Sequence, residues 1–266
     1  MQNLALYENS IPLERNFPIK FHFSGAQGKR SLHWHEHLEL LYFTDGPTNV
    51  ICGGETFTGQ KNDLVIIDCN QLHSTDEGSF FCLRINPSFF ADVSFESIIL
   101  KPHISNDKTI RDCFEKIAEE YQKMSEGYDM EIKSLSYHLI THILRNYRLK
   151  DLSEYEILLQ KNKVNKIRDV LEYISNNYHL KVTTKSLAEH FYLSEQYFCH
   201  LFKSQTKQSP MDYINKYRAE KASFLLKNTQ HSITEIALAV GFDNPTYFSR
   251  VFRKYMKTTP SDYRKD

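Results

Sequence analysis

Four histidines and one glutamate in the first third of the chain are arranged in a way that suits binding of a metal ion or a small molecule. His33, His35, His37 and Glu39 occupy alternate positions, and His73 follows after a further apolar stretch. Alternate side chains of a β-strand project to the same face, so we expect one polar face here. Imidazole nitrogens combined with a carboxylate oxygen suit Zn, Ni, Mn or Fe. The same groups could instead line a metal-free pocket that binds a small molecule.

The spacing of these residues is similar to that of the cupin motifs. The run from His33 to Glu39 follows the first motif, HxHxxxE, and His73 stands where the second motif has its histidine. The second motif departs from its usual pattern, because Asp68 and Asn70 occupy its Pro and Gly positions. The motifs alone leave two interpretations open, a pocket with no metal and no cofactor and a cupin metalloenzyme-like domain. The residues expected to line the pocket are Arg15, His33, Trp34, His35, Glu39, Tyr42, His73 and Arg84.

A second group of candidate residues lies in an internal repeat near the end of the chain. When Ser194 is placed over Asn244, the two segments align at an offset of 50 residues. The matched pairs include Tyr197 with Tyr247, Phe198 with Phe248, Phe202 with Phe252, Lys207 with Lys257, Pro210 with Pro260 and Asp212 with Asp262. So many matches in one register indicate a duplicated structural unit.

Each copy has the layout of a helix-turn-helix motif, with a short helix, a turn and a second helix. Ser194 and Asn244 are suitable N-caps for the second helices, and Pro245 suits a first helical position. Gly241 suits a turn that needs a positive φ. The second helices each carry an apolar stripe that we expect to face inward, formed by Phe198, Leu201 and Phe202 in one copy and by Phe248, Val251 and Phe252 in the other.

The opposite face of each second helix carries residues that could contact DNA. An exposed N-terminal half of such a helix can enter a major groove, where Gln196 could read adenine and Arg250 guanine. Lys203, Arg253 and Lys254 lie later on the helices and are expected to contact phosphates. The full predicted DNA-binding set is Gln196, Cys199, His200, Lys203, Asn244, Pro245, Thr246, Ser249, Arg250, Arg253 and Lys254.

The C-terminal segment resembles the DNA-binding domain of the AraC family of bacterial transcription regulators. The resemblance rests on Ile236–Phe242, on Tyr247–Lys254 and on Thr259–Arg264. It implies two helix-turn-helix motifs joined by a long helix at about 211–227, and an N-terminal cupin-like sensor that binds a small effector, often a sugar, without a metal. It also favours activation over repression. One departure is His200, which stands where the first reading helix often carries Arg.

The sequence predicts two domains around these residues, one built from strands and helices and one built from helices. The protein is therefore expected to belong to the α+β class. Short apolar runs separated by turn signals predict a cupin-like antiparallel β-barrel at about 17–86, and apolar residues at helical spacing predict packed helices at about 108–148. We expect an effector-sensing and dimerisation domain at 1–149, a linker at 150–163 and an AraC-type DNA-binding domain at 164–266. The helices at 108–148 are the predicted contact between two copies.

Charge is divided unevenly between the predicted domains. The formal net charge of the chain is zero, but residues 164–266 carry 16 Lys and Arg against 10 Asp and Glu, whereas residues 1–163 carry 17 against 23. A basic module attached to an acidic one is consistent with nucleic-acid binding. Double-stranded DNA at a promoter, a small-molecule effector and a second copy are the expected partners, with RNA polymerase as a further candidate.

The remaining sequence features favour a cytoplasmic regulator rather than an enzyme or a membrane protein. The five cysteines have irregular spacing and form no disulfide framework. The chain shows no signal-peptide pattern and no apolar run near the ~20 residues that span a bilayer. A regulator whose N-terminal domain binds no ligand and serves only for assembly is a further alternative.

Overall fold

The structure is a computed structural model that describes residues 17–25 and 29–265. The chain divides into two compact units, Met1–Asn165 and Lys166–Asp266. The first combines antiparallel sheets with helices, and the second is helical throughout its described residues. The predicted α+β class is therefore confirmed. The domain boundaries and the barrel of cupin type stay predictions.

The β-strands of the first unit form antiparallel sheets of five, four and two strands. The strands are β1 Ile19–Ser24, β2 Arg30–His33, β3 Leu38–Phe43, β4 Thr48–Cys52, β5 Glu55–Gly59, β6 Asp63–Ile67, β7 His73–Thr75, β8 Phe80–Ile85, β9 Ile98–Leu100, β10 His103–Ser105 and β11 Arg148–Asp151. Their orders in the three sheets are β1-β8-β3-β6-β10, β2-β7-β4-β5 and β11-β9. Short 3-10 helices lie at Pro87–Phe90 and Phe95–Ser97.

Strand β3 divides the core of this unit into two sides. Leu40 and Tyr42 pack in a cluster with the helices that follow the sheet. Leu41 and Phe43 project to the other side and pack with Val50 of the four-stranded sheet. All six residues of β3 are buried, because the strand is covered on both faces. The alternation of side chains thus places the odd-numbered residues of β3 between the two sheets.

Helices α1 (Lys108–Lys123) and α2 (Tyr128–Tyr147) pack against the five-stranded sheet. The Asp107 side chain caps α1 by accepting a hydrogen bond from the Ile110 N–H at 2.9 Å. Gly127, with φ of 82°, begins α2. The apolar stripes of both helices are buried in the core of their own unit. The predicted contact between two copies was based on these stripes. Because the stripes are already buried, such a contact would need other side chains.

The remaining helices carry the internal repeat. They are α3 Glu154–Asn177, α4 Thr184–His190, α5 Glu195–Thr206, α6 Pro210–Asn228, α7 Ile233–Ala239, α8 Pro245–Met256 and α9 Pro260–Lys265. Most of the segment predicted as a linker, 150–163, lies in α3. The long helix predicted at about 211–227 is α6, which packs against α5, α7, α8 and α9.

Capping is repeated in both copies of the duplicated unit. Thr183 before α4 and Ser232 before α7 each form a reciprocal capping box with the third residue of the helix. Lys207 and Lys257, 50 positions apart, both end their helices in the left-handed conformation. Sequence identity at this offset therefore corresponds to identical local structure at the helix ends.

Candidate functional site

The second helix-turn-helix motif consists of α7, a turn and α8. The turn contains Gly241 at φ of 92°, as predicted, and the Asn244 side chain accepts a hydrogen bond from the Tyr247 N–H at 2.9 Å. Pro245 follows at the first position of α8, where no N–H is needed. Phe248 and Phe252 are fully buried. One face of α8 is thereby fixed in the core, and the opposite face is left toward solvent.

The first motif repeats this construction with α4 and α5. Ser194 accepts a hydrogen bond from the Tyr197 N–H at 3.3 Å and caps α5. Phe198 and Phe202 are fully buried, and Leu201 is 5% exposed. The predicted division of both helices into an inward apolar face and an outward polar face is what the structure shows.

Most of the predicted DNA-contacting side chains lie on the outward faces. The exposed ones are Gln196, His200, Lys203, Asn244, Thr246, Arg250, Arg253 and Lys254, and the half-buried ones are Cys199, Pro245 and Ser249. Four of them, Ser249, Arg250, Arg253 and Lys254, line one surface concavity together with Thr259. Three cationic side chains around one concavity suit an anionic partner such as a phosphate. The role of each residue in DNA binding stays a prediction.

Arg250 is positioned by an aromatic neighbour that the sequence reading did not select. The Arg250 guanidinium lies 5.2 Å from the centre of the Tyr247 ring. The Tyr247 hydroxyl in turn accepts a hydrogen bond from Asn215 Nδ2 of α6 at 3.1 Å. The repeated tyrosine at 197 and 247 was visible in the sequence, but its stacking partner was not. The ring therefore restricts the positions that the Arg250 guanidinium can take.

Lys254 differs from the other cations because it has a carboxylate partner. Its Nζ lies 2.8 Å from Asp212 Oδ1 of α6, and the Tyr255 hydroxyl donates to the same oxygen at 3.1 Å. The hydrogen bond from Lys254 lowers the pKa of Asp212, and the same bond raises the pKa of Lys254. Contact between Lys254 and a phosphate would therefore compete with an internal ion pair.

The polar cluster of the first unit is formed by two cross-strand pairs. Glu39 of β3 is directly opposite Arg84 of β8 in the five-stranded sheet. His33 of β2 is directly opposite His73 of β7 in the four-stranded sheet. His35, between β2 and β3, completes the group. One potential ligand atom from each of the three histidines and Glu39 lies within 4.8 Å of all the others, and all four side chains are buried.

Glu39 is the centre of the hydrogen bonds in this cluster. Its Oε2 lies 2.5 Å from His35 Nε2, 3.0 Å from Arg84 Nε and 3.4 Å from His73 Nε2. Its Oε1 accepts from the Cys82 thiol at 3.1 Å. Cys82 was not among the predicted pocket residues, because its partner lies 43 positions away in the sequence.

The electrostatics of the cluster favour an ionised Glu39 beside a neutral His33. Burial by itself would raise the pKa of Glu39, but Arg84 and the hydrogen bond from His35 outweigh burial, so the pKa of Glu39 lies well below its usual range. Burial, followed by the nearby His73, lowers the pKa of His33 well below its ordinary value. A buried carboxylate is thus retained because charge and hydrogen bonds compensate its desolvation.

The structure corrects one step of the sequence reading. His33 to Glu39 do not lie on a single strand, since β2 ends at His33, a bend occupies positions 36 and 37, and β3 begins at Leu38. Three of the four side chains still converge, because the bend carries the chain from one sheet to the other. His37, which was expected on the same face, is half-exposed and outside the group of potential ligands.

The other predicted pocket residues are only partly brought together. Tyr42 lies on the opposite side of β3 from Glu39, where its ring stacks on Phe114 of α1 at 4.9 Å between ring centres. Trp34 is buried directly after His33. Arg15 lies outside the described residues. The structure therefore groups His33, His35, Glu39, His73 and Arg84, and it separates Tyr42 from them.

Comparison with known protein families agrees with both units. A model of the AraC-like ligand binding domain matches residues 19–140, and a model of a helix-turn-helix domain matches residues 187–266. The first match covers the sheets with the polar cluster, and the second covers both reading helices. The chain belongs to the AraC family: it is a DNA-binding transcription regulator with an N-terminal ligand-binding domain.

Similar proteins align along most of the chain. An arabinose operon regulatory protein of Salmonella typhimurium is 28% identical over 98% of this chain and 93% of its own length. The transcriptional activator RhaS of Mannheimia succiniciproducens is 25% identical over 87% of this chain and 88% of its own. YdeC, an uncharacterized transcriptional regulator of Bacillus subtilis, is 24% identical over 88% and 86%. These relatives are regulators of transcription and not enzymes. Among the described residues, no helix is long and apolar enough to cross a membrane.

Proposed function

We propose that this regulator reads a promoter sequence with α5 and α8 and activates transcription in response to a small molecule, of the sugar class, bound by its N-terminal domain. The observation that carries the DNA part is the duplicated reading helix. Each copy is capped at its N-terminus, buried on its apolar face and exposed on a face that carries hydrogen-bonding and cationic groups. Such a helix supplies both base contacts and phosphate contacts.

Both copies of the motif are expected to contact bases. Gln196 and His200 on α5, and Thr246 and Arg250 on α8, are the base-reading candidates. Lys203 and Arg253 occupy equivalent positions one turn later and contact phosphates. Two helices on one duplex predict a binding site with two separated contacted segments.

Selection of binding sequences from a random DNA pool, followed by footprinting with the full chain, tests this proposal. The expected result is a single enriched motif that contains two protected segments about one helical turn apart. Enrichment of no motif, with binding that depends only on salt, would leave the chain as a non-specific DNA binder and overturn the proposal.

The proposed effector is supported by the ligand-binding domain and by the relatives. The name of the Salmonella relative associates it with an arabinose operon. The buried histidines, Glu39 and Arg84 supply donors and acceptors of the kind that bind hydroxyl groups. An effector must bind one arrangement of the protein more tightly than another, since otherwise it shifts no equilibrium.

A thermal-shift screen of the full chain against pentoses, hexoses and disaccharides tests the effector class. A sugar that binds the folded chain raises the melting temperature as its concentration rises. The same sugar should change the affinity for the selected DNA. If no sugar shifts the melting temperature while DNA binding is intact, the chain is a regulator that does not respond to sugars.

We also propose that the regulator acts as a homodimer in the cytoplasm and contacts RNA polymerase. Exposed apolar side chains at Met130, Leu149 and Tyr155 offer surface for a second copy. Sedimentation at micromolar concentration should show a dimer, and a purely monomeric chain would contradict it.

In a transcription reaction with purified RNA polymerase, the regulator should increase transcript from a promoter that carries its site, and a decrease would mark it as a repressor.

A further inference from the structure

The polar cluster of the ligand-binding domain has the donor set of a metal site. His33, His35, Glu39 and His73 each direct one nitrogen or oxygen atom into a group in which all separations are at most 4.8 Å. Donors to one zinc ion lie ~2 Å from it, so two donors are separated by up to ~4 Å. Small side-chain adjustments would therefore place all four atoms around one ion.

Two of the histidines are held by a hydrogen bond from Nδ1 to a backbone carbonyl, as metal-ligating histidines usually are. His33 Nδ1 hydrogen-bonds the Ser31 carbonyl oxygen at 2.8 Å, and His73 Nδ1 hydrogen-bonds the Gln71 carbonyl oxygen at 2.8 Å. A carbonyl can only accept, so Nδ1 carries the hydrogen in both rings. This arrangement fixes the tautomer and turns Nε2 toward the cluster, as outer partners do in metal sites.

His73 and Glu39 lie close together in the buried cluster. His73 Nε2 is 3.4 Å from Glu39 Oε2, and Arg84 Nε is 3.0 Å from the same oxygen. In an imidazole ring that carries its one hydrogen on Nδ1, Nε2 has a lone pair, and this is the form that binds a metal ion. Two potential ligand atoms from different strands therefore lie side by side.

The chemistry of the four donors favours a transition metal over a harder ion. Three imidazoles and one carboxylate suit Zn, Fe, Ni, Co or Mn, whereas Ca²⁺ and Mg²⁺ prefer oxygen donors. In the structure, the positive charge of Arg84 balances the negative charge of Glu39. On metal binding, the hydrogen between His35 Nε2 and Glu39 Oε2 would have to leave that position and His35 would carry its ring hydrogen on Nδ1, so that Nε2 and the carboxylate oxygen can both coordinate.

We propose that His33, His35, Glu39 and His73 bind a divalent first-row transition-metal ion, with Zn²⁺ as the reference ion. The inference goes beyond the function proposed above, which requires no metal, and it departs from the metal-free pocket expected from the sequence. The ion would lie between the two sheets and connect β2, β3 and β7. The ligand-binding domain would then be stabilised by a metal ion as well as by its apolar core.

The first experiment uses the full wild-type chain after removal of metals with EDTA and dialysis. Titration with Zn²⁺ by calorimetry should show one ion bound per chain, and Mg²⁺ should show none. Co²⁺ should give visible d–d absorption without a strong thiolate charge-transfer band. Zn²⁺ should also raise the melting temperature in a concentration-dependent manner.

Two substitutions locate the site. His73→Gln should lower the Zn²⁺ affinity about 100-fold or more, because loss of a ligand exceeds the 10–100-fold cost of losing an outer partner. His103→Gln is the matched control: His103 is a partly buried histidine of the same unit that hydrogen-bonds Asp63 and lies outside the cluster. The control should keep wild-type Zn²⁺ affinity.

Several outcomes would overturn the proposal. They are no Zn²⁺-dependent change in calorimetry or melting temperature of the wild-type chain, a thiolate band that places Co²⁺ on cysteines, or equal affinity in His73→Gln and wild type. The wild-type measurements decide the matter even if His73→Gln does not fold. DNA binding of the EDTA-treated chain is measured in parallel. Specific DNA binding without any metal binding would reject this inference alone, and metal binding without specific DNA binding would reject only the proposed function.

Discussion

The two helix-turn-helix motifs share a backbone plan and differ in their turns and in their charges. In the first turn the left-handed residue is Tyr192, whose side chain is 96% exposed, and in the second it is Gly241. The residue after each bonds back to the first helix of its motif, with Leu193 N–H to the Ala188 carbonyl and Phe242 N–H to the Ala237 carbonyl, both at 2.9 Å. The turns are therefore equivalent in conformation but not in surroundings.

The second turn is one residue longer and is packed against other elements. Asp243 is the additional residue, so the offset between copies is 49 before the turn and 50 after it. Gly241 lies against the chain after α3, and Arg218 of α6 donates to the Tyr178 and Leu180 carbonyl oxygens at 2.7 and 2.8 Å. The left-handed residue of the second turn is thus packed against the chain after α3, whereas the left-handed residue of the first turn is exposed and its neighbour Phe191 packs against Tyr173 of α3.

The largest expected effect is the difference in stability loss between substitutions at the two turns. A Cβ at Gly241 would lie 2.8 Å from the Tyr178 carbonyl oxygen, and φ there is 92°. Gly241→Ala should therefore lower the free energy of unfolding by ~2–5 kcal/mol, from backbone strain and overpacking together. Tyr192→Gly should change it by less than ~1 kcal/mol, since an exposed residue in the same conformation loses little. Urea denaturation of both variants measures the difference, and similar losses would contradict the distinction between the turns.

The next effect concerns base reading and separates Arg250 from His200, which occupy equivalent positions. Arg250→Ala should reduce discrimination at one base pair by ~1–3 kcal/mol, because a bidentate contact to guanine is lost. His200→Ala should have a smaller effect. Competition binding against single-base variants of the selected site measures both. A larger effect at His200, or a loss at Arg250 that is equal for every sequence, would reverse the assignment.

A smaller effect is expected at the phosphate contacts. Lys203→Ala and Arg253→Ala should each reduce the slope of log K against log salt concentration by about 1, with unchanged base preference. Lys254→Ala should reduce it less, since Lys254 already pairs with Asp212. Binding measured at several salt concentrations supplies the slopes. If Lys254→Ala gave the largest change, the ion pair would have to open on DNA.

The smallest effect is a pH dependence that comes from the ion pair between Asp212 of α6 and Lys254 of α8. The pKa of Asp212 is lowered from its ordinary value of 3.8 by the hydrogen bond from Lys254. A carboxyl with a lowered pKa stabilises the fold above its ordinary pKa, and this stabilisation is lost as the pH falls through the lowered value. The stability difference between wild type and Asp212→Asn should thus be present above the ordinary pKa of 3.8 and shrink as the pH falls through the lowered pKa, because the carboxyl then takes up its proton. Lys254→Ala should weaken the same pH dependence, and an unchanged profile would contradict the assignment.

Local patterns in the sequence predicted the parts of the fold that depend on local interactions. The N-caps at Ser194 and Asn244 and the apolar stripes of α5 and α8 follow from spacing within one helix, and the structure has them. His33, His35 and Glu39 were selected from their spacing, whereas His73 was selected from the similarity to the second cupin motif. The caps and the stripes share a cause, since each is set by neighbours within a few positions.

Features that depend on tertiary contacts were not predictable in the same way. Alternation placed His37 on one face with Glu39, but a bend between two sheets breaks the period. Tyr42 was grouped with the pocket, although an even-numbered position of β3 faces α1. The ion pair of Lys254 with Asp212 joins residues 42 positions apart, so no local pattern marks it.

Helix α6 has a consequence for how a promoter can be arranged. Its 19 residues extend ~28 Å, close to the ~34 Å repeat of the major groove, and it packs against both α5 and α8. The length and the helical repeat of α6 therefore determine both the distance and the relative rotation of α5 and α8. One inserted residue would add ~1.5 Å but rotate one copy by ~100° relative to the other. Under the proposed function, the spacing of the two contacted segments in a promoter would thus depend on the angular phase of this one helix.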